Sequence, residues 1–360
     1  MRNRTLLVLI LLIVSSTMIS SLPMAISLGV NNKEIDQLNI SALSEINTTI
    51  TINDFPGSLT NWTWAKDQGY CTGSGTLGDP YVISNLFFNT STLNDNSLSI
   101  RNSLKHFIIR NCEFKGHWDY AGIQLYNTSF GRITANMMYP TTGALVWLYN
   151  ASSNLIYNNN ASAGYYYGIL IDATPGLTQM NQIYGNVINN NSDAGIQFRA
   201  LGSQLNLIRD NTFWHNPYGI EIGSFVKNNT ILGNHIRNSS ICGVRAYSLS
   251  ETNFIHGNCF FDNALHALDD GLNNEWDDGN KGNFWDNYSG SDADNDGIGD
   301  IPYNITGSAG SQDKYPLMSC PTPSLPGIPG YELYIVLLIS ACSIMGIILF
   351  THKRNHKKYK

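Results

Sequence analysis

The chain has 360 residues, with 21 basic and 27 acidic side chains and a formal net charge of −6. An acidic balance disfavours a nucleic-acid partner, because binding to phosphate backbones depends on basic surfaces. Six cysteines in a chain of this length do not indicate a disulfide framework of the kind found in small secreted domains.

The N-terminus has the pattern of a targeting segment. Arg2 and Arg4 precede an apolar run over residues 6–14, and small residues follow up to Ala25. This order is typical of a secretory signal peptide, which we predict for residues 1–25; an uncleaved anchor is the alternative. Residues 26–75, which include Trp62 and Trp64, are predicted to form an N-terminal segment and cap.

An asparagine recurs nine times along the middle of the chain, at intervals of 23 to 27 residues. In the first eight copies an aliphatic residue stands three positions earlier. Self-similarity with a period of this size indicates a repeat architecture. The nine positions are Asn85, Asn111, Asn136, Asn159, Asn186, Asn211, Asn234, Asn258 and Asn283.

Each repeat also contains a short segment that begins with glycine and alternates apolar with variable residues. Gly168-Ile-Leu-Ile-Asp and Gly219-Ile-Glu-Ile-Gly are examples. Period-two alternation predicts a strand with one buried face, and the segment before each repeated Asn predicts a second strand. Two strands in about 25 residues without a helix predict an all-β fold, a parallel β-helix (solenoid) of about nine coils over residues 76–285. The framework of leucine-rich repeats is missing, and a β-propeller needs about 40–45 residues per blade.

The repeated Asn is predicted to lie at a buried corner of each coil. There its amide can bond turn backbone and the Asn of neighbouring coils, and Asn also tolerates left-handed backbone geometry. This assigns the Asn residues to the scaffold, so that function must lie on the variable faces or at the acidic end.

Three segments resemble a known family. Gly73-Ser-Gly-Thr-Leu-Gly-Asp-Pro-Tyr-Val-Ile-Ser-Asn-Leu and Phe107-Ile-Ile-Arg-Asn-Cys-Glu-Phe resemble the repeats of NosD-type β-helix proteins, and the stretch from Gly282 to Tyr303 resembles the end of that domain. The resemblance implies a right-handed helix, a surface or periplasmic setting, and membership of a wider group of carbohydrate-binding proteins and sugar hydrolases. The family's label mentions copper, but the sequence shows no His-rich, Met-rich or Cys-His cluster, so no copper site is carried over.

The outer face of the glycine-led strands is the candidate ligand surface. Counting from the glycines predicts one outward column of Gln124, Leu145, Leu170, Gln197, Glu221 and Arg245, and a second of Tyr126, Trp147, Asp172, Arg199, Gly223 and Tyr247. Aromatic rings with charged neighbours on a rigid sheet suit sugar binding, and we predict Tyr126, Trp147 and Tyr247 as ligand-binding residues. An ordinary mixed solvent face is the alternative.

An enzymatic interpretation needs paired groups on this face. Arg199, Glu221 and Arg245 are the candidate catalytic residues, one coil apart from each other, for a polysaccharide lyase or a glycoside hydrolase. No recognisable catalytic motif accompanies them. The acidic loop of Asp269, Asp270, Asp277 and Asp278 is predicted to be solvated or cation-binding.

Residues 286–318 are predicted to be a C-terminal cap with a calcium-type loop. Alternate aspartates followed by glycine can wrap a hard cation with oxygen atoms. The predicted ligands are Asp292, Asp294, Asp296, the carbonyl of Ile298 and Asp300. An EF-hand has Glu at the twelfth position, whereas Tyr303 stands there, so the last ligand must come from elsewhere, with Asp313 as a candidate. A solvated acidic turn is the alternative.

The C-terminus is predicted to anchor the protein. A Pro/Gly linker at residues 319–330 leads to an apolar stretch at 331–351, long enough to span a membrane, and to a basic tail at 352–360 that belongs on the cytoplasmic side. The exported part then has 14 basic and 26 acidic side chains, a net charge of about −12, which favours a cation partner. Twelve Asn-x-Ser/Thr sequons follow the predicted signal peptide and make glycosylation plausible.

The five cysteines outside the apolar C-terminal stretch show no close pair for metal binding. Cys112 and Cys259 each follow a repeated Asn and are predicted to pack as small hydrophobic residues. One disulfide is possible, without assigned partners. In sum, the sequence predicts a cell-surface β-helix that binds a glycan or a partner protein and holds structural calcium. The alternatives are a polysaccharide-cleaving enzyme and a structural spacer.

Overall fold

The computed structural model describes residues 43–321, in which strands connected by turns account for all regular secondary structure except one short helix. In chain order its elements are β1 (Ser44–Ile46), β2 (Ile50–Asn53), α1 (Trp62–Asp67), β3 (Tyr81–Ser84), β4 (Leu86–Asn89), β5 (Leu98–Arg101), β6 (Phe107–Arg110), β7 (Glu113–Lys115), β8 (Ala121–Tyr126), β9 (Gly131–Thr134), β10 (Met137–Met138), β11 (Ala144–Tyr149), β12 (Leu155–Tyr157), β13 (Tyr167–Asp172), β14 (Thr178–Gln179) and β15 (Gln182–Tyr184). They continue with β16 (Val187–Asn189), β17 (Ala194–Arg199), β18 (Ser203–Gln204), β19 (Leu207–Arg209), β20 (Thr212–Trp214), β21 (Tyr218–Ile222), β22 (Thr230–Leu232), β23 (His235–Arg237), β24 (Cys242–Ala246), β25 (Phe254–His256), β26 (Cys259–Phe261), β27 (Ala267–Asp269), β28 (Phe284–Trp285), β29 (Tyr303–Asn304) and β30 (Gln312–Asp313).

Most of the strands form three parallel sheets along one rod, while β14 pairs with β18 in a small parallel sheet and β29 pairs with β30 in an antiparallel one. Sheet I has nine strands in the order β2-β5-β8-β11-β13-β17-β21-β24-β27, and sheet II has eight, in the order β3-β6-β9-β12-β15-β19-β22-β25. Sheet III consists of two parts, β1-β4-β7-β10 and β16-β20-β23-β26-β28. Asn160 connects the two parts through single β-bridges to a strand of each. The chain therefore folds as a right-handed parallel β-solenoid of about nine turns, which confirms the predicted fold.

Two details of the predicted coil are wrong. Each coil has three strands rather than two. The third strand was not predicted because the strands of sheet III are only two to four residues long and show no clear alternation of apolar and polar residues. Parallel pairing also begins well before residue 76, since β1 pairs with β4 and β2 pairs with β5.

The core is a set of aliphatic columns that run along the rod. In sheet I the strand register places one apolar residue of each coil directly above that of the next. Removal of these β-branched side chains from water provides the main driving force for stacking the coils. One such column, completely buried, consists of Ile123, Val146, Ile169, Ile196, Ile220 and Val244.

A buried asparagine ladder joins seven coils at one corner. Its members are Asn136, Asn159, Asn186, Asn211, Asn234, Asn258 and Asn283. In the middle of the ladder, Asn186 Nδ2 donates to Asn211 Oδ1 and to the carbonyl oxygen of Ile156, both at 2.9 Å. Its Oδ1 accepts from both the backbone N and Nδ2 of Asn159. The predicted structural role of these residues is thus visible in their bonds.

The first two repeated asparagines lie outside this ladder. Asn85 and Asn111 are exposed and adopt φ values of 58° and 52° at the sharp corner. Pairing of Ile109 with Ile133 shows that the ladder position in these coils falls one residue later, at Leu86 and Cys112. The backbone N of Cys112 accordingly donates to Asn136 Oδ1.

A second ladder, absent from the sequence-based prediction, follows another corner. Its members bond to each other in the same way, and they are Asn154, Asn181, Asn206, Asn229, Asn253 and Asn274. A third, shorter row contains Asn191 and Asn216. Amide ladders at two corners and part of a third therefore supply partners for backbone groups buried at the turns.

Both ends of the described rod are closed by aromatic residues. At the N-terminal end, Trp62 of α1 stacks on Tyr81 with ring centroids 4.5 Å apart, and its Nε1 donates to Ser103 Oγ. At the other end, Trp285 stacks between Phe260 and Tyr303. These contacts cover the apolar core where stacking stops.

The cysteines differ from the prediction at one position. Cys259 is not a lone packing residue but forms a disulfide with Cys320. Cys112 is buried with a free thiol, as predicted, and Cys71 and Cys242 are also buried and free.

Residues 43–321 contain no helix with the length and apolar character needed to cross a bilayer. The predicted signal peptide at 1–25, membrane helix at 331–351 and basic tail at 352–360 fall outside the described residues, as does the linker at 319–330 beyond residue 321.

Candidate functional site

A pocket of about 360 Å³ opens on the outer side of sheet I, at the start of β8, β11 and β13. Its lining combines aromatic rings with one cation and one carboxylate. The lining residues are Asp119, Tyr120, Ala121, Gly143, Ala144, Trp147, Tyr166, Tyr167, Leu170 and Arg199. It is a concave, mainly apolar surface with a few polar groups, which is the usual character of a small-molecule site.

The aromatic wall comes from two loops that connect sheet III to sheet I. Trp118, in the loop before β8, lies 5.4 Å from Tyr165, in the loop before β13. Tyr165 packs edge-on against Tyr166 at 5.0 Å. Trp118 and Tyr165 remain almost half exposed, so the aromatic surface continues outward from the pocket.

Strand register places Trp147 differently from the sequence-based prediction. Trp147 pairs with Gln124 on one side and Leu170 on the other, so it belongs to the first column. Leu145 was predicted to point outward, but it is completely buried in the core. The error arises from Gly143, which lies two residues earlier in its coil than the glycines of neighbouring coils.

Arg199 is the cation of the pocket. Its Nη2 donates to Tyr167 Oη at 3.1 Å and to Gln197 Oε1 at 3.2 Å, and its Nη1 lies 3.9 Å from Asp172 Oδ2. These contacts hold the guanidinium at the pocket edge while leaving its side chain about 47% exposed.

Glu221 and Tyr247 form a closed network farther along the sheet. Glu221 is only 3% exposed and accepts from Tyr247 Oη at 2.7 Å and from Gln197 Nε2 at 3.1 Å. Burial raises the pKa of Glu221 above its ordinary value. Burial, and then the hydrogen bond to Glu221, raise the pKa of Tyr247. Arg245 is engaged elsewhere, with Nη2 2.8 Å from Asp270 Oδ2.

The structure thus separates the predicted site residues into two groups. Trp147 and Arg199 line the pocket. Tyr126 lies outside the lining and packs against Tyr149 at 5.2 Å, whereas Glu221 and Tyr247 bond to each other and Arg245 contacts the Tyr247 ring and Asp270. Sequence reasoning did not select Asp119, Tyr120, Tyr166 or Tyr167, although the Tyr165-Tyr166-Tyr167 run was a visible signal.

The Asp-rich loop brings three of its predicted ligands together. Asp292, Asp294 and Asp296 each offer a carboxylate oxygen, and these atoms lie within 4.8 Å of one another. Asp300 turns instead toward Ala293 N and Ser291 Oγ. Asp313 is not a ligand of this loop, because it is completely buried under the last coil.

The acidic residues before this loop are also not simply solvated. Asp269 is buried, and its carboxylate accepts from Asn274 Nδ2, Trp276 Nε1 and Ser311 Oγ. It therefore ends the second asparagine ladder. Asp278 accepts from the backbone N atoms of Asn280 and Lys281, which close a local turn.

A cluster of soft donor atoms lies on sheet III. His235 of β23 pairs directly with Cys259 of β26, and Cys259 is bonded to Cys320. His235 Nε2 lies 3.8 Å from Cys320 Sγ, and one donor atom from each of the three residues lies within 4.8 Å of the others. The sequence hid this cluster, since 61 residues separate the two cysteines.

Two solved structures show a distant likeness to this chain. The tailspike protein of Dettilon is 15% identical, with a TM-score of 0.41, over 55% of this chain and 52% of that one. The A-module of the mannuronan C-5 epimerase AlgE6 from Azotobacter vinelandii is 10% identical, with a TM-score of 0.14, over 54% of this chain and 86% of that one. Neither likeness carries an argument about activity.

Comparison with families and curated proteins is more specific. A family model described as right handed beta helix region matches residues 47–205, and one described as periplasmic copper-binding protein (NosD) matches residues 177–290. A probable ABC transporter binding protein NosD from Stutzerimonas stutzeri is 31% identical over 27% of this chain, a region that spans only 30% of that relative. With the solenoid described above, these matches show that the chain is similar to NosD-type right-handed parallel β-helix proteins.

Proposed function

We propose that the pocket on sheet I binds a carbohydrate. The observation that carries this proposal is the aromatic lining of the pocket, with Trp147, Tyr120, Tyr166 and Tyr167 around one cavity. Aromatic rings present large rigid apolar faces that suit the C–H faces of a pyranose. Asp119 and Arg199 lie in the same lining and supply an acceptor and a donor for sugar hydroxyls.

The scaffold favours such binding because the site needs no rearrangement to form. Trp147 and Leu170 lie on paired strands of sheet I, and their neighbours in the same strands are fully buried core residues. A ligand that binds a preformed surface does not have to order the chain. The continuation of the aromatic surface through Trp118 and Tyr165 favours an oligosaccharide over a single sugar.

A glycan array screen of the purified protein, followed by calorimetry on the best ligand, tests the proposal. We expect Trp147→Ala to weaken binding at least about tenfold, which corresponds to ~1.4 kcal/mol. Trp214→Ala is the matched control, because Trp214 is an exposed tryptophan on sheet III, away from the pocket. Equal binding by all three proteins, or no glycan bound at all, would reject the proposal and leave the spacer alternative.

A second candidate, polysaccharide cleavage, rests on Glu221. Its raised pKa and its 2.7 Å bond to Tyr247 Oη are features that a proton-transferring carboxyl can have. Arg199 is linked to it through Gln197. Release of reducing or unsaturated sugars that Glu221→Gln abolishes would support cleavage; retained glycan binding without such release would leave binding alone.

The predicted setting belongs to the same proposal. We infer a protein anchored in the cell membrane by residues 331–351, with the β-helix outside and structural calcium in the Asp-rich loop. Sequons such as Asn127 and Asn190 are exposed on the rod and would be accessible for glycosylation. Membrane fractionation with external protease, and a mass shift after glycosidase treatment, test these two points.

A further inference from the structure

We propose that the pocket on sheet I selects a sugar with a positively charged amino group, such as an unacetylated amino sugar within an oligosaccharide. This selectivity rests on the carbohydrate binding proposed above and adds the charge of the ligand to it. Two features of the pocket carry the proposal. Carboxylates around the cavity outnumber its single guanidinium, and the aromatic rings beside it are inclined to one another.

Arg199, the cation among the lining residues, already has partners within the protein. Its Nη2 donates to Tyr167 Oη at 3.1 Å and to Gln197 Oε1 at 3.2 Å, and its guanidinium carbon lies 5.7 Å from the centroid of the Tyr167 ring. Asp172 Oδ2 lies 3.9 Å from Nη1. Because these neighbours balance its charge and use part of its donor capacity, Arg199 is a weak anchor for an anionic ligand.

A second carboxylate shares this guanidinium. Asp193 lies just before β17, where its backbone N donates to the carbonyl oxygen of Tyr166 at 2.9 Å. Its carboxylate accepts a hydrogen bond from Tyr167 and is attracted by the charge of Arg199. Asp172 and Asp193 together therefore leave this side of the pocket negative. A uronic acid would be repelled there, whereas a cation would be attracted.

Asp119 adds a carboxylate directly to the lining of the pocket. Among the ion pairs of residues 43–321, none includes this exposed side chain. Hydrogen bonds fix the turn that carries it: Asp119 N donates to His117 Nδ1 at 3.2 Å, and Gly143 N donates to the carbonyl oxygens of His117 and Tyr120. An ammonium group in the pocket would therefore find an acceptor carboxylate at a fixed turn.

The aromatic rings beside Asp119 offer faces in several directions. Trp118 is inclined by 53° to Tyr165 and by 58° to Tyr166, and Tyr165 meets Tyr166 at 86°. Rings at these angles do not form one flat platform of the kind that stacks on a neutral pyranose. Cations are attracted to ring faces, and proteins hold ammonium groups between several such faces. Tyr166 joins these rings to the lining of the pocket, which also contains Trp147.

A matched pair of trisaccharides tests the selectivity. Calorimetry on the full chain compares fully N-acetylated chitotriose with the same trisaccharide after removal of its acetyl groups, at neutral pH, where most amino groups carry a proton. The two ligands have the same rings and hydroxyls, but only the second is charged. We expect the amino form to bind at least about tenfold more tightly. Trigalacturonate, an anionic trisaccharide, should bind more weakly than either.

Matched variants assign the selectivity to particular groups. Asp119→Asn keeps the shape of the side chain without its charge and should reduce the preference for the amino form at least about threefold. Asp67→Asn, at the exposed end of α1, is the control and should keep the preference. Tyr166→Leu should also reduce it at least about threefold, and Tyr166→Phe, which restores a ring, should recover most of that loss. The melting temperature of each variant shows whether the rod remains folded.

The outcomes separate the charge selectivity from carbohydrate binding itself. Equal affinities for the two trisaccharides, with binding that Trp147→Ala weakens, would overturn the selectivity and leave the carbohydrate site in place. Binding of no sugar at all would reject both. An unchanged preference in folded Asp119→Asn would contradict the role of the carboxylate. Choline, titrated alone, tests for a general ammonium site, and tighter binding of choline than of the amino trisaccharide would overturn the assignment to a sugar.

Discussion

At the scale of single residues, buried carboxylates end the asparagine ladders. An asparagine in the middle of a ladder gives its N–H groups to the next coil, but the last one has no next coil. Asp313 takes that position for the first ladder, because its Oδ2 accepts from Asn283 N at 2.7 Å and from Trp285 Nε1 at 2.8 Å. Asp269 has the same role for the second ladder. A carboxylate suits this position because it only accepts hydrogen bonds.

The titration of Asp313 predicts a pH dependence of stability. Burial raises its pKa to about 6, whereas an unfolded aspartate titrates near ~3.9. Between these values the folded chain binds more protons than the unfolded chain, so the free energy of unfolding falls as pH rises. The stabilisation that the protonated Asp313 carboxyl gives to the folded state is complete below about pH 4 and lost above about pH 6. The difference between the two pKa values corresponds to at most ~3 kcal/mol in the free energy of unfolding.

The comparison of native protein with Asp313→Asn isolates this effect, since the variant cannot titrate there. In urea unfolding at pH 4 to 7, we expect the stability of the native protein to fall relative to the variant by ~1–3 kcal/mol. Asp67→Asn, at the exposed end of α1, is the control and should follow the native profile. Parallel profiles for Asp313→Asn and native protein would contradict the assignment.

At the scale of elements, the ladders replace the backbone pairing that corners cannot make. Asn211 lies at the centre of the first ladder, where its Nδ2 donates to Asn234 Oδ1 and to the carbonyl oxygen of Ile183. Its Oδ1 accepts from Asn186 N. Every rung depends on both neighbours, so removal of one leaves buried groups unpaired in two adjacent coils.

Asn211→Ala should therefore destabilise the rod by ~3–5 kcal/mol, because several buried donors and acceptors lose their partners. Chemical denaturation followed by circular dichroism measures the loss. Asn94→Ala is the matched control, as Asn94 is exposed in the loop before β5, and we expect a change within about 0.5 kcal/mol. A loss for Asn211→Ala as small as that for Asn94→Ala would show that the ladder contributes little.

The sequence was sufficient to predict the coils but not all of their corners. Periodicity gave the parallel β-helix and its nine coils, because the core Ile and the ladder Asn recur together. The second ladder follows the same kind of period, from Asn154 to Asn274 at steps of 21 to 27 residues, and could have been found. Strands of sheet III such as β16 could not, since three residues show no alternation.

The site was only partly predictable for a related reason. Loop lengths differ between coils, so counting from Gly143 placed Trp147 in the wrong column, and only strand pairing corrects it. Tyr166 enters the pocket through a loop whose path no period describes. The roles of Asp269 and Asp313 depend on the chain returning to cover the last coil, which distant contacts determine.

At the scale of the whole molecule, the C-terminal cap closes the rod through several independent contacts. β29 and β30 form a small antiparallel pair, and Asp313 of β30 lies under the last ladder rung. The Cys259–Cys320 disulfide links the end of the described chain to β26 of sheet III. The Asp-rich loop is joined to the segment before Cys320, because Gly299 N donates to the carbonyl oxygen of Pro316 and Met318 N donates to that of Gly297. An ion bound in the loop would therefore stabilise the cap.

Calcium is therefore expected to raise the melting temperature of the protein. Saturation at about one hundred times the dissociation constant adds ~2.7 kcal/mol, or about 5 °C or more for a protein of this size. Asp294→Ala combined with Asp296→Ala should remove the increase, whereas Asp67→Ala should keep it. Scanning calorimetry with calcium and with a chelator measures the difference. The absence of any calcium-dependent shift in the native protein would refute the calcium assignment.

The carboxylate ends of the two ladders make the length of the rod adjustable. Every rung between the ends bonds to an identical neighbour, so a duplicated unit of about 25 residues would insert without changing either terminus. Each coil added between the pocket on sheet I and the C-terminal cap would move them ~4.8 Å farther apart. Relatives that differ by whole coils would then present the same surface at different distances from the C-terminal cap. The number of coils would set that distance.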